Sequence, residues 1–150
     1  MNSDGSALQP LTRDECLLLM ASVPVGRIIY TRQALPAVDL VNFALDEGDA
    51  VIRTDHGGKL AAATRRAVVA FEADSLDLAR RAGWSVTVVG QSHEVTDAAE
   101  IARLTQLGLC SWAPGERDHF IRISPGILNG RRLSAEGPEH LKECGHAACL

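Results

Sequence analysis

The stretch with the clearest chemistry is VIRTDHGGKLAAATRR, residues 51–66, where an apolar strand-like segment meets an alanine-rich basic segment. Gly57 and Gly58 have no Cβ and let the backbone approach a ligand closely. A helix that begins here would present unpaired N–H groups and the positive end of its dipole. Lys59 and Arg53 add positive charge. These residue types predict a site for a phosphate or another anion.

The same stretch differs from the P-loop of nucleoside triphosphatases, G-x-x-x-x-G-K-[ST]. Arg53 stands at the first glycine position, and Leu60 stands where a hydroxyl would ligate magnesium. The site is therefore not predicted to act as that of an ATPase. From these residues alone, a plain strand-to-helix connection with a solvated Lys59 stays open as the alternative.

The C-terminal tail holds residues of metal-binding type, namely His140, Cys144, His146 and Cys149. Their spacing, H-x3-C-x-H-x2-C, matches no usual structural zinc pattern. No metal site is predicted there.

Composition favours one soluble domain without a nucleic-acid or membrane partner. The chain has 150 residues, of which 46% are hydrophobic and 23% charged, as in an ordinary globular domain. Its net charge of -4 supplies no general attraction to nucleic acid. No apolar run approaches the ~20 residues that span a bilayer. The N-terminus lacks the features of a signal peptide and the four cysteines form no C-x-x-C pair, which predicts a cytoplasmic protein with reduced thiols.

Short strands joined by tight turns make up most of the chain, a pattern typical of an antiparallel meander. Strands are predicted over residues 25–31, 37–45, 50–54, 68–74, 84–95 and 119–124, and residues 127–133 are predicted to end the regular fold. The strand 84–95 is expected to be the longest, with a bulge at Gly90. Residues 75–83 are predicted to form a loop with one helical turn.

Three helices are predicted outside the strands. The first follows a capping box formed by Thr12 and Glu15, and another follows Asp97 and runs to Leu109. The third is the basic segment 59–66. Six or more strands with a few helices outside predict a small closed or partly closed barrel, since closure removes exposed edges.

The predicted organisation is a disordered N-terminus over 1–10, one domain over 11–133 and a flexible tail over 134–150. In order, the segments of this domain are PLTRDECLLLMASVPVGRIIYT, LPAVDLVNFAL, VIRTDHGGKL, VVAFEAD, GWSVTVVGQSHEVTD and WAPGERDHFIRISPGILNGRRL. Over roughly residues 10–133 they resemble the pyridoxamine 5′-phosphate oxidase-like family of flavin-binding split barrels. The resemblance implies a mostly β fold with peripheral helices, namely a six-stranded antiparallel split barrel. It also implies a homodimer with FMN in clefts at the subunit interface, while some relatives bind the deazaflavin F420, haem or no cofactor.

The resemblance also implies which residues line the cofactor. The family pattern P-x-V-x-P-V-N-Y, which lies along the isoalloxazine ring, is matched by Pro36, Val38, Val41, Asn42 and Phe43. The element F-R-T, which lines the flavin and its ribityl chain, is matched by Ile52, Arg53 and Thr54. The element S-K-L, whose lysine faces the phosphate, is matched by Gly58, Lys59 and Leu60.

Two further elements of the family contain tryptophan. The strand G-W-S-V, contributed in many members by the second subunit, is matched by Trp84, Ser85 and Val86. The loop W-x-P-G, which can cover the ring, is matched by Trp112.

Three residues differ from the family in ways that bear on cofactor binding. Leu40 replaces the second proline, Gly58 replaces a serine, and Asp39 introduces a carboxylate into the same strand. That carboxylate is harmless if it points away from the cleft, but it would repel a phosphate if it faced the cleft.

Two functions stay open on this basis. The first is an FMN-dependent oxidoreductase that acts on an unknown small molecule, with the cofactor carrying the redox chemistry. The alternative is a non-catalytic or F420-binding split-barrel dimer that acts as a cofactor carrier, sensor or scaffold, and the three departures favour it. No catalytic residue is assigned, although His93, His119 and Tyr30 are candidate proton carriers. A pyridoxamine phosphate oxidase in the strict sense is disfavoured, because only Arg122 and Arg131 match its substrate-phosphate residues.

Overall fold

In the computed structural model, residues 8–54, 58–109 and 119–134 are described, and their strands form one antiparallel sheet that closes on itself. The strands are β1 Leu8–Pro10, β2 Val25–Arg32, β3 Leu35–Asp46, β4 Asp49–Thr54, β5 Val68–Asp77, β6 Ala82–Glu94 and β7 His119–Leu133. The helices are α1 Arg13–Ala21, α2 Lys59–Thr64 and α3 Ala98–Thr105. None of the helices in these ranges is long and apolar enough to cross a membrane.

Closure depends on β7, which pairs with β4 through its first residues and with β6 along nearly its whole length. The strand order β7-β4-β3-β2-β5-β6 therefore returns to β7. This ring of six long strands confirms the predicted six-stranded antiparallel barrel. β7 has 15 residues and is longer than the 13-residue β6, so the prediction that β6 is the longest strand is wrong.

The predicted strand 119–124 and the segment 127–133 belong to one continuous strand. The chain keeps its pairing with β6 through Pro125 by a register shift between Val89 and Gly90, which confirms the bulge at Gly90. A Cβ at Gly90 would overlap the carbonyl oxygen of Ser124. The glycine therefore lets the two strands stay paired where the proline interrupts the pattern.

The prediction of a loop over 75–83 is wrong, because β5 and β6 continue as a hairpin through Asp77 and Ala82. The turn between them is capped by Asp77, whose Oδ1 accepts from the Arg80 N–H at 3.0 Å. Residues 75–77 are exposed, since the hairpin extends beyond the hydrophobic core. Without a buried face these residues lack the apolar alternation that marks a strand in sequence.

Both capped helices begin where the sequence predicts. Thr12 Oγ1 accepts from the Glu15 N–H at 3.3 Å, and Glu15 Oε2 accepts from the Thr12 N–H at 3.1 Å. Asp97 Oδ2 accepts from the Glu100 N–H at 2.9 Å. α3 ends at Thr105 and not at Leu109, because the chain turns into the left-handed region at Gly108, with φ of 69°. Likewise α2 ends at Thr64, before Arg66 at φ of 51°.

β1 corrects the prediction that residues 1–10 are disordered, at least for residues 8–10. These residues pair with Arg131, Arg132 and Leu133 of β7. From β1 the chain leads into α1, which buries Cys16 and Met20 against the main core. Cys16 is a core residue, and burial raises the pKa of its thiol. The other three cysteines and the histidines of the tail lie outside the described residues.

Candidate functional site

Strand alternation divides the sheet into an inner face, which lines the barrel core, and an outer face. Phe43 of β3 pairs with Ile52 of β4, and both side chains lie in the main core. Their neighbours Asn42 and Arg53 therefore point to the outer face, on adjacent strands and at the same level. The structure thus brings together two of the residues that the sequence predicts for the cofactor site.

The Arg53 side chain is held in place by two described contacts. One guanidinium nitrogen donates to the Leu109 carbonyl at 3.4 Å, and the guanidinium carbon lies 5.5 Å from the Phe120 ring centroid. Phe120 belongs to a small second core with Val51, Val95 and Leu104, beneath α3. The Arg53 guanidinium is partly buried. Its orientation is fixed by Phe120 of the barrel and by the Leu109 carbonyl in the segment that follows α3.

Thr54, Gly58 and Leu60 follow Arg53 along the chain. Thr54 is buried and Leu60 packs partly against the main core. Gly58 is the N-cap of α2, which begins at Lys59 and has no side-chain cap. α2 has only six residues, so its dipole adds little and the positive side chains must supply most of any attraction for an anion. The Lys59 side chain and Trp112 lie outside the described part of the structure.

The residues of β6 divide between the two faces. Trp84 and Val86 are buried in the main core, whereas Ser85 points outward and pairs with Asp74 of β5 and Arg131 of β7. Two strands, β2 and β5, separate Ser85 from β3. Three interstrand spacings of about 4.8 Å put Ser85 roughly 14 Å from Asn42. A single chain does not bring these two groups of predicted site residues together.

Val41 and Asp39 point away from this outer face. Val41 packs partly against the main core. Asp39 accepts a hydrogen bond from the buried Tyr30 hydroxyl, with Oη 2.6 Å from Oδ2. Burial and this bond raise the pKa of the Tyr30 hydroxyl. The carboxylate that departs from the family pattern is therefore on the face opposite to Arg53, so it does not stand beside the predicted phosphate position.

Arg122 is committed to an internal network and not to a ligand. Its guanidinium donates to Asp46 at 2.6 Å, to Glu100 at 2.8 Å and to Asp49 at 3.2 Å. Arg103 of α3 also donates to both Asp46 oxygens, at 2.6 and 3.0 Å. The match of Arg122 to a substrate-phosphate residue is wrong, because three carboxylates surround a side chain that is only 7% exposed.

Asp46 lies between the two arginines of this network and is itself 8% exposed. Hydrogen bonds from Arg103 and Arg122 lower the pKa of its carboxyl to about 2. The sequence predicts only a turn here, since nothing in residues 46–49 shows which arginines the fold brings to them. The network fastens α3 to the β3–β4 turn and to β7.

A second cluster, which sequence reasoning also missed, lies on the outer face and contains Glu72 and Asp74. Arg27 of β2 donates to Glu72 and to Asp74, both at 3.1 Å. Burial, with the hydrogen bond and negative charge of Asp74, raises the pKa of the Glu72 carboxyl to about 7. The spacing of two residues placed both acids on one face, but only the β2–β5 register reveals their partner.

The candidate proton carriers lie in separate places. His119 Nδ1 is 2.9 Å from Glu94 Oε1, Tyr30 bonds to Asp39 inside the barrel, and His93 is exposed. Among the described residues, no group of three histidine, cysteine or acidic side chains is placed to hold a metal ion.

A depression of about 370 Å³ lies between the end of α1 and β3. Its lining is mostly apolar and consists of Met20, Ala21, Ser22, Val23, Pro24, Phe43, Ala44 and Leu45. It includes Phe43 of the matched family pattern but none of the residues predicted to bind the cofactor. We therefore place the candidate site on the outer face at Asn42 and Arg53, and not in this depression.

The closed ring of six antiparallel strands with helices outside defines a split-barrel protein. The chain belongs to the pyridoxamine 5′-phosphate oxidase family, whose model matches residues 12–132. A protein of Mycobacterium tuberculosis, Rv0080, is 42% identical over 131 residues, which are 84% of this chain and 86% of that protein.

Two solved structures share both fold and sequence with the chain. The FAD-binding protein of Mycobacterium smegmatis has a TM-score of 0.72 and 32% identity over 84% of this chain and 98% of that one. A candidate pyridoxamine 5′-phosphate oxidase of Corynebacterium glutamicum has a TM-score of 0.76 and 31% identity, over 89% and 96% of the respective chains.

Proposed function

We propose that the chain binds a flavin nucleotide on the outer face of its sheet, with the flavin phosphate next to Arg53 and Lys59. The observation that carries the proposal is the position of Arg53, a preset and partly exposed cation beside Asn42. A guanidinium suits a phosphate, which it contacts through charged hydrogen bonds. The FAD-binding relative supports a flavin as the ligand. FMN is the form we propose, and FAD contains the same phosphoribityl-isoalloxazine unit.

The residues present fit such a ligand. Asn42 offers an amide to the edge of a flat ring, and Gly58, the N-cap of α2, has no side chain that would keep a ligand away from its backbone. Thr54 and Leu60 form the buried support beneath this edge of the sheet. Asp39 is on the opposite face and adds no repulsion beside Arg53.

A second copy of the chain completes the site in this proposal. The β6 residues Trp84, Ser85 and Val86 lie too far from Asn42 to contact the same ring within one chain. The β6 strand of the partner would bring Ser85 and its backbone to the ring. Val41, whose side chain packs towards the core, would contribute only its backbone. Trp112, from the matched family loop, would complete the proposed lining.

The outer face has an apolar row that suits this pairing of copies. Strand registers align the row across five strands, and its residues are Val38, Ile29, Ala70, Val89 and Ile127. Val38 is 59% and Ile127 57% exposed, although both are large and apolar. Four interstrand spacings make this row about 19 Å long, measured along the curved sheet. A continuous exposed apolar row supports the proposed pairing of copies.

When bound, the flavin would supply redox chemistry, and we propose an oxidoreductase that acts on a small molecule. The chain's own part is to orient the ring against β3 and to hold its phosphate.

Binding is tested by titrating the apo protein with FMN, FAD and F420 and removing the unbound ligand. The absorbance of the protein is then read at about 450 nm for the flavins and about 420 nm for F420. We expect stoichiometric yellow protein with FMN or FAD at micromolar concentration. Binding of F420 alone would mean that the cofactor is the deazaflavin and not a flavin. Binding of none of the three would contradict the proposal and favour the alternative of a scaffold without a cofactor.

A further inference from the structure

Two carboxylates share one guanidinium on the outer face of the sheet. Arg27 Nη1 is 3.1 Å from Glu72 Oε2 and 3.1 Å from Asp74 Oδ2. The side chains of Arg27, Glu72 and Asp74 are 48%, 22% and 30% exposed. If both acids are ionised, this cluster therefore carries a net negative charge that is only partly in water.

The strands on either side bring no second cation into contact with it. Glu72 faces Thr87 of β6, and Asp74 faces Ser85. Leu40 of β3 lies beyond Arg27, and Arg131 of β7 lies beyond Ser85, one strand further away from Asp74. Among the described residues, Arg27 alone forms ion pairs with the two acids.

A proton on one carboxylate would neutralise the excess negative charge of this cluster. Burial and the neighbouring Asp74 raise the pKa of Glu72 to about 7. Near neutral pH the cluster therefore alternates between a neutral state with one shared proton and a state with one net negative charge.

The cluster borders the apolar row. Arg27 and Glu72 lie two residues along their strands from Ile29 and Ala70, which belong to that row. A second copy seated on the row would remove water from the cluster as well. Burying an unbalanced carboxylate is costly, and in the pairing of two like copies each brings its own negative charge.

We propose that the Arg27–Glu72–Asp74 cluster makes the pairing of two copies depend on a proton. Each copy takes up one proton from solvent as the outer faces meet, and raising the pH separates the copies. This inference rests on the pairing proposed above, and it adds the condition under which that pairing forms. A cofactor site shared between copies would then open and close with pH as well.

The test is sedimentation equilibrium of the full chain at about pH 6 and about pH 8.5. We expect the dimer dissociation constant to rise at least about tenfold between them, because proton uptake and association are linked. Glu72→Gln retains an amide donor to Asp74 and removes the titrating group, so it should pair equally well at both pH values. Asp74→Asn should do the same, and Asp14→Asn, an exposed acid of α1, should keep the wild-type dependence.

The possible outcomes distinguish the proton dependence from the proposed pairing of two copies. A wild-type dimer whose affinity is unchanged or higher at the upper pH would overturn the inference and leave the pairing intact. A wild-type chain that is monomeric at both pH values would overturn the pairing and the inference together. Circular dichroism of each variant confirms that it is folded.

Discussion

The two arginine–carboxylate clusters of the barrel use the same residue types with opposite results. At Asp46, two guanidiniums converge on one carboxylate, and the pKa of that carboxyl falls to about 2. At Arg27, two carboxylates converge on one guanidinium, and the pKa of Glu72 rises to about 7. Burial raises the pKa of both carboxyls, and at Asp46 the hydrogen bonds from the two guanidiniums outweigh it.

The two clusters also differ in where they lie and in what they hold together. The Asp46 network joins α3, the β3–β4 turn and β7, and its central groups are paired within the chain. The Arg27 cluster lies on the exposed face beside the apolar row, and its two carboxylates share one guanidinium. A carboxylate held by two guanidiniums inside the chain stabilises the fold. Two carboxylates that share one guanidinium on an outer face respond instead to their surroundings.

The largest effect is expected from Arg122→Met. The substitution leaves Asp46, Asp49 and Glu100 without their shared buried cation, and removing one partner of a buried ion pair costs about 3–5 kcal/mol. Urea denaturation should show this loss, while Arg80→Met, which removes an arginine that is 84% exposed, should cost less than about 0.5 kcal/mol. A loss below about 1 kcal/mol at Arg122 would mean that the network does not stabilise the fold.

The next effect is the acid dependence of stability at Asp46. The pKa of its carboxyl is lower in the folded chain, about 2 against 3.8, so the unfolded chain binds more protons between these values. Stability is therefore present above about pH 4 and lost as the pH falls towards 2, by about 2 kcal/mol. Urea midpoints across this range should fall for the wild type and change less for Asp46→Asn. If the urea midpoints of both proteins fell equally with pH, the loss of stability in acid would have to come from other carboxyls.

Glu72 should show the opposite and smaller dependence. The pKa of its carboxyl is higher in the folded chain, about 7 against 4.5, so the folded chain binds more protons in that window. The contribution of Glu72 to stability is therefore largest below about pH 4.5 and falls as the pH rises through 7, by about 1–2 kcal/mol because solvent partly screens the cluster. Thermal melts of dilute protein should show the trend in the wild type and lose it in Glu72→Gln. A melting temperature that rises over this window would contradict the charge balance of the cluster.

The sequence predicted most of the fold because its strands alternate and its helices carry capping residues. It failed at the β5–β6 hairpin, whose end has no buried face, and at β7, where Pro125 and Gly126 suggest a break. In both places tertiary pairing overrides the local pattern.

The candidate site was predictable only where motif and register coincide. Arg53 and Asn42 were singled out by resemblance, and the β3–β4 pairing places them side by side. The burial of Trp84 and Val86 follows from alternation about Ser85, but which face is inner is set by closure of the barrel. The partners of Glu72 and Asp46 depend on contacts between distant segments, so no local pattern indicates them.

The claim that the outer face binds a flavin phosphate is tested most directly by comparing FMN with riboflavin. Arg53→Met and Lys59→Ala should each weaken FMN, because a charged hydrogen bond of about 1.5–3 kcal/mol corresponds to a ~10- to 150-fold loss. Riboflavin has no phosphate, so its dissociation constant should hardly change in either variant. In the control Arg80→Met, the dissociation constants of FMN and riboflavin should both stay unchanged. Equal losses for FMN and riboflavin, or no loss for either, would contradict the placement of the phosphate beside Arg53 and Lys59.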